Sequence, residues 1–166
     1  MNGKIQSFPF SADNNARVLI LGSMPGAESL RQQQYYAHPR NLFWDIMGDL
    51  FGAGRELPYE ERLAVLRENG VALWDVAHSC RRNGSLDSNM TDVAANDFQR
   101  LFATAPQIHT VFFNGQTAAA LFRRLVRPDL NHELQLVVLP STSPANASVP
   151  AGKKKAAWSK VQTALK

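Results

Sequence analysis

Two short segments in the first quarter of the chain carry residue types that could hold a flat, polar ligand. Residues 22–26 read GSMPG, and residues 35–44 read YYAHPRNLFW. Glycines let a ligand approach the backbone and expose its N–H groups to an oxygen or a phosphate. The rings and the amide that follow can lie against a planar group and hydrogen-bond its edge. The turn at residues 22–26 could equally be a plain connection from a strand to a helix.

Three side chains of the second segment have both a simple and a chemical interpretation. Asn41 precedes a helical pattern and could cap that helix, or its amide could position a water molecule or the edge of a base. Phe43 could belong to the core, or it could stack on a heterocycle, because every base offers a π-face. His38 is a structural residue in the simpler interpretation, although its loop position makes a chemical role more plausible.

A carboxylate ends the apolar run VALWD at Asp75. A charge at the end of a buried strand is costly unless it has a partner. Asp75 could pair with Arg81 or Arg82, or it could accept a hydrogen bond from a ligand, such as the N–H of a purine.

A stiff loop of small residues, PSTSPANA, follows at residues 140–147. Hydroxyls, amides and backbone N–H groups are common contacts to phosphates. The simpler interpretation is a rigid turn without a partner. Lys153, Lys154 and Lys155 come next, and such a charged run is usually solvated, but this one lies beside the expected rim of the site.

Several chemistries have no support in the sequence. No Gly-Lys-Ser/Thr follows the first turn, and no GxGxxG or Gx-Ser-xG pattern is present. No His, Cys and Asp cluster has the spacing of a metal site. The single cysteine, Cys80, rules out disulfides and Cys-rich zinc or iron–sulfur sites within one chain. We therefore expect no cofactor and no metal.

Composition indicates a globular protein, and its modest basic excess is compatible with an anionic partner. The chain has 166 residues, a net charge of +4 and a hydrophobic fraction of 45%, which predicts a single domain over residues 1–166. The basic balance fits a partner that carries phosphates. Residues 1–10 lack the apolar core of a signal peptide, and no stretch approaches the ~20 apolar residues of a membrane span. We expect a soluble, cytoplasmic, monomeric protein.

Apolar runs alternate with helical patterns along the chain. The runs predict strands at residues 18–21, 71–76, 109–113 and 134–139, and the periodicity predicts helices at 42–51, 59–68, 117–127 and 151–165. Residues 77–91 read as a long polar loop, and Thr91 or Asp92 could cap a helix reaching Ala103. This alternation is typical of the α/β class, here a three-layer α/β/α sandwich with a four-stranded parallel sheet.

Each distinctive segment follows one of the four predicted strands. GSMPG follows the first, Asp75 the second, Asn114-Gly115 the third and PSTSPANA the fourth. Because ligands of such sheets bind beyond the carboxyl ends of the strands, the four segments should form one composite site.

In this order, the segments resemble those of the uracil-DNA glycosylase superfamily, and its hypoxanthine-DNA (deoxyinosine) glycosylase branch most closely. GSMPG is similar to the first motif of that superfamily, residues 38–44 to the HP-x-N-x-FW segment of its mismatch-specific branch, and residues 139–147 to its second, DNA-inserting motif. Residues 70–75 resemble the strand whose end reads the base. The resemblance extends from about residue 17 to residue 160.

The resemblance implies a monofunctional enzyme that flips a deaminated base out of single- or double-stranded DNA and hydrolyses its N-glycosidic bond, with hypoxanthine preferred. Phe43 would stack on the base and Asp75 would contact its edge. The implied base-binding set is Gly22, Ser23, Met24, Pro25, Tyr36, His38, Phe43 and Asp75. The implied DNA-binding set is Ser141, Thr142, Ser143, Pro144, Asn146, Lys153 and Lys154.

The chain departs from the superfamily pattern at three positions. Met24 stands where many members have Asp, Asn or Glu, and it cannot orient water. The second motif offers hydroxyls in place of a catalytic His, which leaves Asn41 as the candidate to position water or stabilise the leaving base. Asp75 replaces a base-reading Asn, and a carboxylate suits N1–H of hypoxanthine better than uracil.

Three other functions remain open at this point. A non-catalytic nucleic-acid binder could use the same pocket, and Met24 favours that alternative. A mismatch-specific uracil or thymine glycosylase is a second possibility. A hydrolase of free nucleosides is a third, and it would depend little on salt, unlike a DNA-binding protein.

Overall fold

The computed structural model describes residues 4–166, so the first three residues of the predicted domain lie outside the described part. Its strands are β1 Lys4–Gln6, β2 Val18–Gly22, β3 Val71–Asp75, β4 Ala77–Arg81, β5 Thr91–Ala95, β6 Thr110–Asn114 and β7 Gln135–Leu139. Its α-helices are α1 Ala27–Gln32, α2 Phe43–Phe51, α3 Tyr59–Glu68, α4 Phe98–Thr104, α5 Gln116–Leu125 and α6 Ala151–Ala164.

Four parallel strands form the central sheet in the order β3-β2-β6-β7. All residues of β2 and β3 are buried. Strands covered on both faces need apolar residues throughout, which explains why they read as continuous apolar runs. All four predicted strands are therefore confirmed.

Helices cover both faces of this sheet. In the sheet, β3 lies on one side of β2, whereas β6 and β7 lie on the other side of β2. Because such crossovers are right-handed, connections that run in opposite directions place their helices on opposite faces. Ring contacts mark the two layers: Phe43 of α2 meets Trp158 of α6, and Phe98 of α4 meets Phe122 of α5. The α/β/α sandwich is confirmed.

A second, antiparallel sheet occupies both ends of the predicted loop at residues 77–91. Its order is β1-β4-β5, and β4 and β5 flank a shorter segment of residues 82–90. The loop prediction is wrong for residues 77–81 and 91, because β4 and β5 alternate apolar and polar residues only weakly and are defined by their pairing. An alternation this weak gives no strand signal in the sequence.

The helix expected to begin at Thr91 or Asp92 also begins elsewhere. Residues 91–95 pair with β4, and α4 begins at Phe98. The side chain of Asp97 caps this helix, because its Oδ1 accepts a hydrogen bond of 3.1 Å from the backbone N–H of Arg100. A short helix, α1, follows the GSMPG turn, which is thus also a strand-to-helix connection.

Candidate active site

A cavity of about 340 Å³ lies at the carboxyl edge of the central sheet. The segments after all four strands line it, as the sequence predicted, and the 35–41 loop closes one side. Residues of the predicted set on its wall are Gly22, Ser23, Met24, Pro25, Tyr36, His38, Asn41, Asp75, Ser141, Thr142, Ser143 and Pro144. Its size falls in the usual range for small-molecule sites, roughly 300–1,000 Å³.

A larger cavity of about 750 Å³ lies near the amino-terminal ends of β6 and β7. His109, His132 and Glu133 are on its wall. We place the candidate site at the smaller cavity, because the buried polar groups converge there and ligands of parallel sheets bind at the carboxyl ends of the strands.

Gly22 and Asp75 are neighbours across β2 and β3, and the cavity depends on their close approach. The two residues are paired in the sheet register. A Cβ atom on residue 22 would lie 2.5 Å from Asp75 Oδ1 and 2.8 Å from the hydroxyl of Tyr36. Because no real Cβ contact is that short, only glycine allows both polar side chains to reach this wall.

Asp75 is a buried carboxyl group with unused hydrogen-bonding capacity. Its residue exposure is 3%, and no hydrogen bond to Oδ2 is formed within residues 4–166. Burial raises the pKa of Asp75 to about 7, the repulsion of Asp87 adds to this, and Arg82 opposes it. Such a group can bind the polar edge of a ligand as an ionised or a neutral acid near neutral pH.

The two arginines considered as partners of Asp75 have other contacts. Arg81 forms an ion pair of 3.0 Å with Asp92. The Arg82 side chain is fully buried and donates hydrogen bonds to the carbonyl groups of Pro25 and Gly84. Arg82 thus joins the GSMPG turn to the segment of residues 82–90.

Unlike Phe43, Tyr36 lines the cavity. The two rings are stacked with centroids 4.1 Å apart, and Phe43 has an exposure of 0%. Phe43 also makes edge contacts with Trp44 and Trp158 and does not line the cavity. In this arrangement the implied stacking of Phe43 on a base is blocked, since Tyr36 already covers its ring.

The hydroxyl of Tyr36 lies in the buried floor of the site. It makes no well-formed hydrogen bond within the described residues. Burial and the nearby Asp75 raise the pKa of Tyr36 far above its usual value, so this hydroxyl stays protonated. It is therefore a permanent hydrogen-bond donor on the cavity wall.

Asn41 is held rigidly by its backbone and by its amide oxygen. Its N–H donates to the carbonyl of His38 at 2.9 Å, and Arg55 donates to its carbonyl at 2.7 Å. The side-chain Oδ1 accepts a hydrogen bond of 3.0 Å from the backbone N–H of Phe43 at the start of α2. Because this contact fixes the orientation of the amide, Nδ2 is the group left to donate to a ligand.

One ring nitrogen of His38, Nδ1, is engaged by the backbone. Nδ1 accepts a hydrogen bond of 3.1 Å from the backbone N–H of Arg40. In the neutral ring the proton therefore lies on Nε2, which makes His38 a hydrogen-bond donor toward any ligand in the cavity.

Asn114, which follows β6, anchors the loop of residues 140–147. Its Nδ2 donates to Thr142 Oγ1 at 3.0 Å, and its Oδ1 accepts from the Thr142 N–H at 2.9 Å. The Thr142 carbonyl accepts from the Leu42 N–H at 3.1 Å, which connects this loop to the Asn41 segment. The sequence placed Asn114 in the composite site through its position after the third strand, but it gave no role for this side chain.

Lys154 does not present its charge to the surface. Its exposure is 3%, and its Nζ donates to the carbonyl of Ser143 at 3.4 Å. The prediction of a direct phosphate contact is corrected here, because α6 packs this lysine behind the 140–147 loop. Lys153 is exposed, and Lys155 pairs with Asp49 at 3.0 Å. Asn146 braces the same loop by donating to the Ser141 carbonyl at 3.2 Å.

The segment of residues 82–90 adds a wall that was absent from the predicted site. Ser85, Leu86 and Asp87 line the cavity. Ser23 donates to Asp87 Oδ1 at 2.9 Å, and Ser85 Oγ accepts from the Ala27 N–H at 2.8 Å. The available signal was the length of the polar segment, but sequence alone does not show which of its residues turn inward.

No group of three or more His, Cys, Asp or Glu side chains in residues 4–166 is arranged to hold a metal ion. No helix in that range is long and apolar enough to cross a membrane.

Comparisons with known proteins identify the family of this chain. The family model described as the uracil DNA glycosylase superfamily matches residues 8–166. A protein of Methanosarcina acetivorans named hypoxanthine DNA glycosylase is 40% identical over 142 residues, which cover 85% of this chain and 87% of that protein. One of Methanosarcina barkeri with the same name is 41% identical over 114 residues, 68% of this chain and 72% of the relative.

A solved structure agrees with the fold over nearly its full length. It is the solution NMR structure of a candidate uracil DNA glycosylase from Methanosarcina acetivorans, with a TM-score of 0.81 and 36% identity. The similarity covers 98% of both chains. Together with the family match over residues 8–166, these relatives show that the chain belongs to the uracil DNA glycosylase superfamily.

Proposed function

We propose that this protein is a monofunctional DNA glycosylase that removes deaminated bases, hypoxanthine above others, and leaves an abasic site. The observation that carries the proposal is the buried Asp75 carboxyl group, which shares a cavity wall with the Asn41 amide and the Tyr36 ring. The names of the two Methanosarcina relatives support the same activity.

Asp75 would read the edge of the everted base. Hypoxanthine offers an N1–H donor beside an O6 acceptor, whereas adenine offers a bare N1 acceptor at the same place. An ionised Asp75 accepts the N1–H of hypoxanthine and repels the N1 lone pair of adenine. Because the pKa of Asp75 is about 7, a large fraction of the protein is in the selective, ionised form at neutral pH.

Asn41 would stabilise the departing base. Cleavage of the C–N bond gives the sugar oxocarbenium character and places negative charge on the base. The Oδ1 of Asn41 is engaged by Phe43, so its Nδ2 donates to an acceptor on the leaving base. This geometry favours leaving-group stabilisation over water positioning, the alternative role for the same residue. A fixed donor to developing charge is worth about 10²–10³ in rate.

The rim would bind DNA through the 140–147 loop and Lys153. This loop is braced by Asn114, Lys154 and Asn146, which leaves its backbone and hydroxyl groups at a defined position for phosphates. Flipping a base costs a few kcal/mol, least for a poorly paired base such as hypoxanthine opposite thymine.

The test is a cleavage panel with duplexes that carry hypoxanthine, uracil, xanthine or adenine at one position. Each duplex is incubated with the protein and split into samples with and without hot alkali. We expect strand scission only after alkali, fastest for hypoxanthine and absent for adenine. Scission without alkali would contradict the monofunctional assignment, and no scission of any duplex would favour a non-catalytic binder.

A mismatch-specific uracil glycosylase is the second candidate. The description of the NMR relative as a candidate uracil DNA glycosylase favours it. It predicts that uracil opposite guanine is cleaved faster than hypoxanthine in the same panel.

A further inference from the structure

Hydrolysis of the N-glycosidic bond needs a group that holds the attacking water and takes its proton. Met24 occupies the turn where such a group could stand, and a thioether is only a weak acceptor. The Asn41 amide oxygen accepts from Phe43 and is too weakly basic to take a proton from water. The proposed reaction therefore requires an acceptor that neither residue supplies.

Six titratable side chains line the cavity: Glu28, Tyr35, Tyr36, His38, Asp75 and Asp87. The carboxylate of Glu28 is engaged by Arg31 and Gln32, which hold its pKa near 2. Both tyrosines keep their protons, because burial raises their pKa values.

His38 and Asp75 have other roles in the same cavity. In neutral His38 the Nδ1 lone pair is taken by the Arg40 N–H, so the ring offers a donor rather than a base. Asp75 lies at the end of β3 and is assigned to the base edge. Asp87 is the remaining carboxylate among the cavity residues.

Asp87 is fixed in place and faces the solvent of the cavity. Its Oδ1 accepts from Ser23 at 2.9 Å and lies 3.9 Å from Nη1 of Arg82, a fully buried nitrogen without a hydrogen-bond partner within residues 4–166. Its side chain is 36% exposed and lines the cavity. Burial raises the pKa of Asp87 above its ordinary value, and the Ser23 hydroxyl and the Arg82 charge oppose this shift.

We propose that the Asp87 carboxylate holds the water that attacks the anomeric carbon and accepts its proton. This inference rests on the proposed glycosylase function. In the reaction the water oxygen bonds to C1′ as the C1′–N bond breaks, and that electron pair leaves with the base. The proton passes from the water to Asp87 and then, through solvent, to the expelled base.

The assignment also explains the contacts of residues 82–90. Arg82 donates to Pro25 and Gly84, and Ser85 binds the amide of Ala27. These hydrogen bonds attach the segment to the GSMPG turn and hold Asp87 at the cavity. A carboxylate from this segment thus supplies what Met24 cannot.

The test compares Asp87→Asn and Asp87→Glu under single-turnover conditions on a deoxyinosine duplex. Asn keeps an oxygen that can accept from Ser23 but loses the negative charge. Binding is measured separately with a duplex that carries 2′-fluoro-deoxyinosine, which resists cleavage. Asp92→Asn is the matched control, because Asp92 lies on β5, away from the cavity, with a side chain that is 72% exposed.

We expect Asp87→Asn to slow excision at least ~100-fold, within the usual contribution of a general base, with duplex affinity within threefold of the wild type. Asp87→Glu should cleave at least ~10-fold faster than Asp87→Asn, because it restores a carboxylate. Equal rates for these two variants, or wild-type cleavage by Asp87→Asn, would overturn the inference. Neither result affects the proposed function, which is tested separately by the cleavage panel with the wild-type protein.

Discussion

The ring of Tyr36 lies against the ring of Phe43, with centroids 4.1 Å apart and planes inclined by 25°. The two stacked rings connect the core to the cavity, because Phe43 is fully buried and Tyr36 lines the cavity wall. An incoming base can stack on Phe43 only after Tyr36 moves away. Otherwise the base contacts Tyr36 itself.

Tyr36→Phe separates the ring from its hydroxyl. The variant keeps the stack on Phe43 and removes a buried hydroxyl without a well-formed hydrogen bond. We expect the free energy of unfolding of Tyr36→Phe to lie between the wild-type value and about 1 kcal/mol above it. The free energy of unfolding of Tyr36→Ala should be lower than that of the wild type by ~3 kcal/mol or more. Urea denaturation measures both. A clear loss of stability in Tyr36→Phe would mean that the hydroxyl has a stabilising partner.

Gly22→Ala should damage the site directly. The new methyl group would overlap Asp75 Oδ1 and crowd the Tyr36 hydroxyl, and overpacking of this kind costs about 1–3 kcal/mol. We expect excision to fall at least ~100-fold, because a misplacement of about 1 Å has that effect on catalysis. Gly152→Ala in α6 is the control, since nothing lies within 4 Å of its added Cβ. Wild-type excision by Gly22→Ala would show that the Gly22–Asp75 approach is not needed.

The raised pKa of Asp75 predicts a pH-dependent loss of stability. Between its ordinary pKa of 3.8 and its folded pKa of about 7, the native protein keeps a proton that the unfolded chain has lost. The free energy of unfolding therefore falls as the pH rises through this window, by up to roughly 4 kcal/mol for three pH units.

Asp75→Asn isolates this effect. We expect the variant to gain stability over the wild type from pH 4 to pH 8, measured as the difference in free energy of unfolding by urea at each pH. Asp49→Asn, whose side chain is 59% exposed, provides the control and should show little change. A difference between Asp75→Asn and wild type that does not vary with pH would contradict the raised pKa.

Substitution of Lys153 and of the adjacent Lys154 should have different effects on the salt dependence of DNA binding. Lys153 is exposed, so Lys153→Met should weaken DNA binding and reduce the slope of log K against log[salt] by about 0.9. Lys154→Met should leave that slope unchanged and act through the 140–147 loop, because Nζ of Lys154 donates to Ser143. Fluorescence anisotropy over a salt series distinguishes them. A reduced slope for Lys154→Met would restore its predicted phosphate contact.

The central sheet and its composite site could be predicted because their signals are local. Buried parallel strands must be apolar, and Gly22, Asp75 and Asn114 interrupt or end three of those runs. The meeting of their loops then follows from the topology of a parallel sheet. This reasoning needs no knowledge of long-range side-chain contacts.

The remaining features depend on contacts between distant parts of the chain. Strands β4 and β5 exist because they pair with each other, and β4 also pairs with β1, which their weak alternation of apolar and polar residues does not reveal. Lys154 is buried because α6 packs behind the 140–147 loop. Tertiary packing also decides that Tyr36, and not Phe43, is the ring of the stacked pair that reaches the cavity. It likewise brings Asp87 within hydrogen-bond distance of Ser23.

The most direct test of the account is the single-turnover rate of Asn41→Asp on a deoxyinosine duplex. Aspartate keeps an oxygen for the Phe43 N–H but replaces the Nδ2 donor with an acceptor. If the Asn41 amide stabilises the leaving base, excision should fall at least ~100-fold, as in Asn41→Ala, while binding to the 2′-fluoro duplex persists. Excision by Asn41→Asp at the wild-type rate would contradict the central claim.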